Sequence, residues 1–231
     1  AELVAARGPR ELTGLKFLVS AGPTCEDIDP VRFIGNRSSG RMGFAIAKAA
    51  AEQGATVTLI AGPVALATPR GVERIDVRSA RQMRDAVLQH APRNDVFVSS
   101  AAVGDFRPAT LAPQKLKKNG ASLELSLVQN PDILAEVAAL PQRPFLVGFA
   151  AETENVEDYA RAKLERKRLD LIAANRVGEG LGFESADNAL LLLWPDNGRE
   201  ELARADKREL ARQLLARIVE RRRAQSPGAA R

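Results

Sequence analysis

Residues 16–22 read K-F-L-V-S-A-G, residues 44–52 read F-A-I-A-K-A-A-A-E, and residues 56–62 read T-V-T-L-I-A-G; their order decides the fold. The outer runs are short and apolar, and each stops at a Gly-Pro pair, Gly22-Pro23 and Gly62-Pro63, as strands do. The middle run is rich in alanine, the best helix former, and ends before Gly54. Strand, loop, helix, strand is the opening unit of an α/β sheet. The loop before the helix reads D-P-V-R-F-I-G-N-R-S-S-G-R-M-G over residues 29–43. Ser38 or Ser39 is expected to cap the helix, so that the free amides of its first turn face the loop and favour phosphate oxygens. Gly40 and Gly43 remove side chains where a ligand or a neighbouring strand comes close.

Three readings of this loop compete. A phosphate-binding loop of the NTPase type needs G-x-x-x-x-G-K-[ST]; residues 35–42 have the spacing, but Arg41 replaces the lysine and Met42 the magnesium-binding hydroxyl. A nicotinamide dinucleotide fold needs G-x-G-x-x-G directly after the first strand and an acid closing the second, and both are missing. The glycines alone would equally serve a tight turn and helix packing. Arg32, Asn36, Arg37 and Arg41 beside them favour chemistry on anions.

Strand and helix patterns continue to alternate. Ser79-x-x-Gln82 resembles a capping box opening a helix to about His90, and residues 95–101 read as the next strand. Asn130-Pro131 is expected to cap a short helix; strands follow at 144–150 and 169–174, flanking a charged helix at 155–168. Asp206-x-x-Glu209 opens a last helix with Leu210, Leu214, Leu215, Ile218 and Val219 on one face. Residues 122–128 and 188–194 are strand-like and break the alternation, forming a hairpin-like extension or an edge for dimer contact. The fold class expected is therefore α/β: a Rossmann-like, doubly wound, mostly parallel sheet with helices on both faces and a small strand extension with a flap.

Ala101, Ala102, Val103 and Gly104 follow a core strand at its carboxyl end, where open α/β sheets place their ligands. A flat group fits against such small residues. Asp105 stands ready to accept from ribose hydroxyls or to help hold a metal ion. Residues 107–121, with Pro108, Pro113, Lys115, Lys117 and Lys118 and little apolar content, read as a mobile flap.

These segments together resemble phosphopantothenate-cysteine ligase, usually the C-terminal half of a bifunctional bacterial coenzyme A enzyme. The resemblance rests on D-P-V-R-F-I-x-N-x-S-S-G-x-M-G, then A-A-V-x-D-F at 101–106, K-x-K-K at 115–118, N-P-D-I-L at 130–134, V-G-F-A-A-E-T at 147–153 and G-F-E-S-x-x-N-A at 182–189. Six segments in register span about residues 15–215. The resemblance implies a CTP-dependent reaction in which the carboxylate of 4'-phosphopantothenate forms an acyl-cytidylate, releasing pyrophosphate. The amine of cysteine then displaces CMP. It makes Asn36 and Lys115 catalytic, and places Arg32, Asn36, Ala101 and Ala102 at the acyl substrate. It surrounds the nucleotide with Ser38, Ser39, Gly40, Met42 and Gly43, with Ser99, Ser100, Ala101, Asp105 and Lys115, with Pro131, Asp132, Ile133 and Leu134, and with Phe149, Lys163 and Lys167. Mg²⁺ or Mn²⁺, with Asp105 as a ligand, is the implied cofactor; a homodimer and fusion to a decarboxylase domain are the implied partners. The chain departs from the pattern at Arg37, where histidine is frequent, at Gly104, where alanine is usual, and at Arg176 in A-N-R. The alternative is a nucleotide or NADPH-type sensor domain without turnover.

Composition agrees. A chain of 231 residues that is 45% hydrophobic can bury one large core. Residues 15–220 are expected to form one ligase domain after a linker at 1–14. Four of the five excess positive charges lie in residues 221–231, expected to be a disordered basic tail, so the body is nearly neutral. With aromatics at only 4%, a nucleic-acid surface is not indicated. Cys25 is the single cysteine, which excludes internal disulfides, and no apolar run spans a bilayer; a cytoplasmic setting is expected, without a signal peptide. Cys25 and His90 receive no role.

Overall fold

The computed structural model describes residues 10–118, 120, 122–177 and 187–225. The first strand, β1 (Lys16–Ala21), leads into a short ribbon of β2 (Cys25–Asp27) and β3 (Phe33–Gly35). Then come α1 (Arg41–Glu52), β4 (Thr56–Ala61), β5 (Val72–Asp76), α2 (Ala80–His90) and β6 (Val96–Ser99). A second ribbon pairs β7 (Phe106–Pro108) with β8 (Leu127–Gln129), before α3 (Ile133–Ala138) and β9 (Phe145–Glu152). The chain continues with α4 (Val156–Arg166), β10 (Leu171–Arg176), the hairpin β11 (Asp187–Trp194) and β12 (Gly198–Asp206), and α5 (Lys207–Gln225).

Eight strands form one sheet in the order β12-β11-β10-β9-β6-β1-β4-β5. The six strands from β10 to β5 run parallel, and β11 and β12 close one edge antiparallel. This is the doubly wound arrangement read from the sequence. The alternation along each strand explains it: Phe17, Val19, Val57, Leu59, Val96 and Val98 face α1 and α5, while Leu18, Ile60, Phe97 and Leu146 face α2, α3 and α4. Both faces are buried, as parallel strands require. Because the chain winds outward from β1 in both directions, the carboxyl ends of β1 and β6 part and leave a crevice, the place where such sheets bind ligands.

Several boundaries differ from the sequence reading. Leu12 is buried in the core and its N–H bonds Gln53 O at 3.1 Å, so the domain begins inside the expected linker. The last helix runs through Gln225; Arg221 stacks on Trp194 at 4.5 Å and Arg222 pairs with Asp95 at 2.8 Å. The first part of the basic tail is therefore structured, and residues 226–231 lie outside the described residues. Gly40, with φ 72°, caps α1 in place of Ser38 or Ser39. Ser38 instead turns its Oγ to Gly40 N at 3.4 Å. Asp132, not Asn130-Pro131, caps α3 by accepting from Ala135 N at 3.1 Å. Of the expected strand at 122–128 only Leu127 and Val128 pair, in a strand that runs on to Gln129. The Ser79 capping box and the Asp206 cap are present as read, the latter accepting from Arg208 and Glu209 amides at 2.8 and 2.9 Å.

Candidate active site

The crevice is walled on one side by the amino end of α1. Phe44 N bonds Gly40 O at 3.1 Å, so the amides of Arg41, Met42 and Gly43 precede the first intrahelical bond and open toward the loop. Gly43 is required by packing. A Cβ there would stand 2.5 Å from both Ala21 Cβ and Ser100 Oγ, which lets the helix end press on the strands beneath. Gly40 is required by conformation, in the left-handed region favoured by glycine. Met42 packs its side chain on the core, so its backbone is the part that faces the crevice.

The opposite wall is the segment after β6. Ser100 bonds Ser20 O through both its N–H and its hydroxyl, at 3.1 and 2.7 Å. Ala102 pairs with Gly22 O and gives its own carbonyl to Thr24 N, which stitches residues 100–102 to the segment after β1. Gly104 N donates to buried Thr24 Oγ1 at 2.9 Å, and Asn130 Nδ2 donates to Gly104 O at 2.8 Å. Asn36 reaches across, its Nδ2 donating to Val103 O at 3.0 Å. The structure thus brings together Asn36, the glycines of the α1 cradle, residues 99–105 and the turn at Asn130.

The far rim carries the lysines. Lys163 donates to Phe149 O at 2.8 Å, next to the carboxyl end of β9. Burial lowers its pKa, Glu152 and Asp105 partly restore the charged form, and Arg166 opposes it. Lys167 pairs with Asp132. Ile133 and Leu134 have their side chains buried in the core, which leaves their backbone as the part that could meet a ligand. Asp105 is exposed at the rim, and its carbonyl accepts from Asn130 N at 2.8 Å.

Arg32 and Lys115 stand apart from this wall, on the outer ribbon and flap. Arg32 bonds Asp29 Oδ2 through Nε at 3.0 Å and Nη2 at 2.6 Å, and Nη2 also donates to Leu116 O at 2.8 Å. Leu116 N donates to Asp29 Oδ2 at 3.1 Å. Lys115 is exposed and makes no hydrogen bond or ion pair among the described residues. Burial alone would raise the pKa of Asp29, but donors from Val31, the Arg32 side chain, Leu116 and the Arg32 amide outweigh it and hold the carboxyl well below its ordinary range. These contacts tie the flap to the β2–β3 turn.

Sequence reasoning gave no role to Thr24, Asp29 or Asn130 in this network. A polar side chain amid apolar or turn residues was the available signal for all three. Cys25 is buried, and desolvation raises its thiol pKa despite the Arg78 charge, which agrees with an inert thiol. His90 ends α2 away from these walls. Of the last segment of the resemblance, residues 182–186 lie outside the described residues.

Residues 12–221 match the DNA/pantothenate metabolism flavoprotein C-terminal domain family. The chain belongs to that family. Members of this family that it resembles include the coenzyme A biosynthesis bifunctional protein CoaBC of Haemophilus influenzae, 53% identical over 92% of this chain and 53% of the relative. The Escherichia coli K12 protein of the same name is 51% identical over 89% of this chain and 51% of the relative. The chain spans about half the length of the curated relatives it matches. Among solved structures, the C-terminal domain of a CoaBC protein superposes with a TM-score of 0.76 at 40% identity, covering 90% of this chain and 95% of that one. A DNA/pantothenate metabolism flavoprotein from Streptococcus pneumoniae shares the fold, with a TM-score of 0.77 at 24% identity over 89% of this chain and 99% of that one.

Proposed function

We propose that this chain is a CTP-dependent ligase of coenzyme A biosynthesis, joining 4'-phosphopantothenate to L-cysteine. The observation that carries the reading is Asn36 bridging to Val103 O across the crevice, beside the open amides of α1. In the first step a carboxylate oxygen attacks the α-phosphorus of CTP; the bond to the β-phosphate oxygen breaks and pyrophosphate leaves. In the second, the cysteine amine attacks the acyl carbon, loses a proton, and CMP departs with the former carboxylate oxygen, giving 4'-phosphopantothenoylcysteine.

The residues suit these steps. The first brings two anions together, and the α1 amides with Lys163 supply positive potential at the crevice, to which Lys115 on the flap would add during turnover. Asn36 Nδ2 carries two N–H groups. One holds Val103 O, and the second is the donor for the oxyanion that forms on the acyl carbon. Arg32 orders the outer rim where the acyl substrate enters.

Among the described residues no cluster of three His, Cys, Asp or Glu side chains could cage a metal ion. Mg²⁺ is usually held by one or two carboxylates together with substrate phosphates, and Asp105 is an exposed carboxylate at the rim that would serve. When bound, the ion would neutralise triphosphate charge.

The names of the relatives support a natural fusion, and we assign its other half to a phosphopantothenoylcysteine decarboxylase domain. Exposed Val31, Phe33, Phe106, Leu111 and Leu127 on the ribbons and flap support a homodimer, to be checked by sedimentation. Among the described residues no helix is long and apolar enough to cross a membrane. We place the reaction in the cytoplasm.

The test is a pyrophosphate assay with CTP, Mg²⁺ and phosphopantothenate, followed by addition of cysteine. Release of pyrophosphate before cysteine, and of CMP only after it, supports the reading. Tight NADPH binding with no pyrophosphate release would favour the sensor alternative instead.

A further inference from the structure

Asp29 lies at the turn between β2 and β3, with its side chain fully buried. Its Oδ1 accepts from Val31 N at 2.8 Å and Arg32 N at 2.9 Å, which fixes that turn. Its Oδ2 accepts from Leu116 N and from Arg32 Nε and Nη2, at 3.1, 3.0 and 2.6 Å. Since Nη2 also donates to Leu116 O, one ion pair grips both polar atoms of a single flap residue. Among the described residues a second flap tie reaches this turn, Ala112 N donating to Ile28 O at 3.0 Å. Lys115 lies between the two ties.

Burial of apolar surface contributes little to this hold, because Leu111, Pro113, Gln114, Lys115, Lys117 and Lys118 are exposed and only Ala112 and Leu116 are partly buried. A carboxylate with charge-assisted donors is the stronger type of bond available. Each donor withdrawn from it would leave an unpaired polar group behind.

We propose that Asp29 is a positioning residue, whose carboxylate latches the flap onto the β2–β3 turn and thereby sets where Lys115 stands during turnover. The turnover half rests on the ligase reading above; the latch does not. An amide at this position would keep one acceptor for the turn while turning its NH₂ toward three donors, so Asp29→Asn opens the latch with the turn retained. Leu116→Pro removes the latch N–H from the other side and leaves Asp29 and Arg32 untouched.

Hydrogen exchange of the unliganded protein tests the latch directly. Both variants should exchange residues 109–118 faster by about tenfold or more, with α1 and α2 unchanged. Unchanged flap exchange in both would overturn the proposal. The rate of pyrophosphate release tests the positioning: Asp29→Asn should slow it in the wild-type background, and by less than about twofold more in a Lys115→Ala background. Independent, multiplying effects would show that Asp29 does not act through Lys115, and an unchanged rate in the single variant would also overturn that role. If the wild-type protein releases no pyrophosphate, the ligase reading fails, and exchange alone decides the latch.

Discussion

The inner wall and the outer rim of this crevice are built by opposite means. The inner wall, residues 40–43 and 100–104 with the turn at Asn130, is closed by packing and hydrogen bonds, with Gly43 seated against Ala21 and Ser100. The outer rim, made of two ribbons of three-residue strands and a flap, leaves Val31, Phe33, Phe106 and Leu127 exposed, and its flap is held by a buried carboxylate and one backbone bond. The inner wall inherits the rigidity of the sheet. The rim has a fastening of its own, which sequence changes or pH can open without disturbing the core.

That contrast can be broken by mutation. Asn36→Ala should cause the largest loss, slowing transfer to cysteine by about 10²- to 10³-fold while acyl-cytidylate still forms. Quenched-flow detection of the accumulated intermediate checks it, and unchanged turnover would remove Asn36 from the inner wall's chemistry. Lys115→Ala should lower the rate of pyrophosphate release by about a hundredfold with no change in thermal midpoint, since the side chain is exposed. A lowered midpoint with normal release would reverse the assignment of function to the rim.

Gly43→Ala should do the opposite, forcing a Cβ into contacts of 2.5 Å and costing about 1–3 kcal/mol of stability, read as a lowered thermal midpoint. A smaller effect should come from acid. The folded pKa of Asp29 is depressed, so its contribution is fully present above the ordinary carboxylate value of about 3.9 and is lost as pH falls through the folded value. Flap amide protection, corrected for intrinsic exchange, should therefore hold at pH 5 and decline below about pH 4. A flap equally protected in acid would mean that other contacts hold it. The smallest effect is expected at Cys25, whose buried, raised thiol should resist alkylation at neutral pH with activity unaltered.

The inner half of the molecule was legible because its signals are local. The apolar runs of β1 and β4 and the alanine-rich α1 appear within a residue or a few of where they were read, and the Ser79 and Asp206 caps are backbone chemistry visible in four-residue patterns. The rim was less legible. Strands of three residues, such as β2, β3 and β7, are too short to show a period, and they form because distant segments offer them partners. The β11–β12 hairpin was half read, although Asp196 and Asn197, at φ 62° and 58° before Gly198, carry the sequence of a tight hairpin turn. Gly40 displaced the serines as cap because the chain must enter α1 through a left-handed residue, which depends on the close approach of Gly22. The Asp29–Leu116 latch joins residues 87 positions apart, and nothing in either local stretch announces the other.

The tie between Asp95 and the last described helix has a bearing on how the protein is made. Asp95 Oδ2 accepts from Lys16 N at the start of β1, and its Oδ1 accepts from Arg222 on α5. The same helix covers the face of the sheet on which α1 lies. A chain leaving the ribosome would expose the apolar faces of β1 and α1 until residues 207–225 arrive to cover them. The crevice is encoded early in the described chain, and its foundation is completed by residues 207–225, so a ligand could meet a finished site only once that helix has emerged and docked.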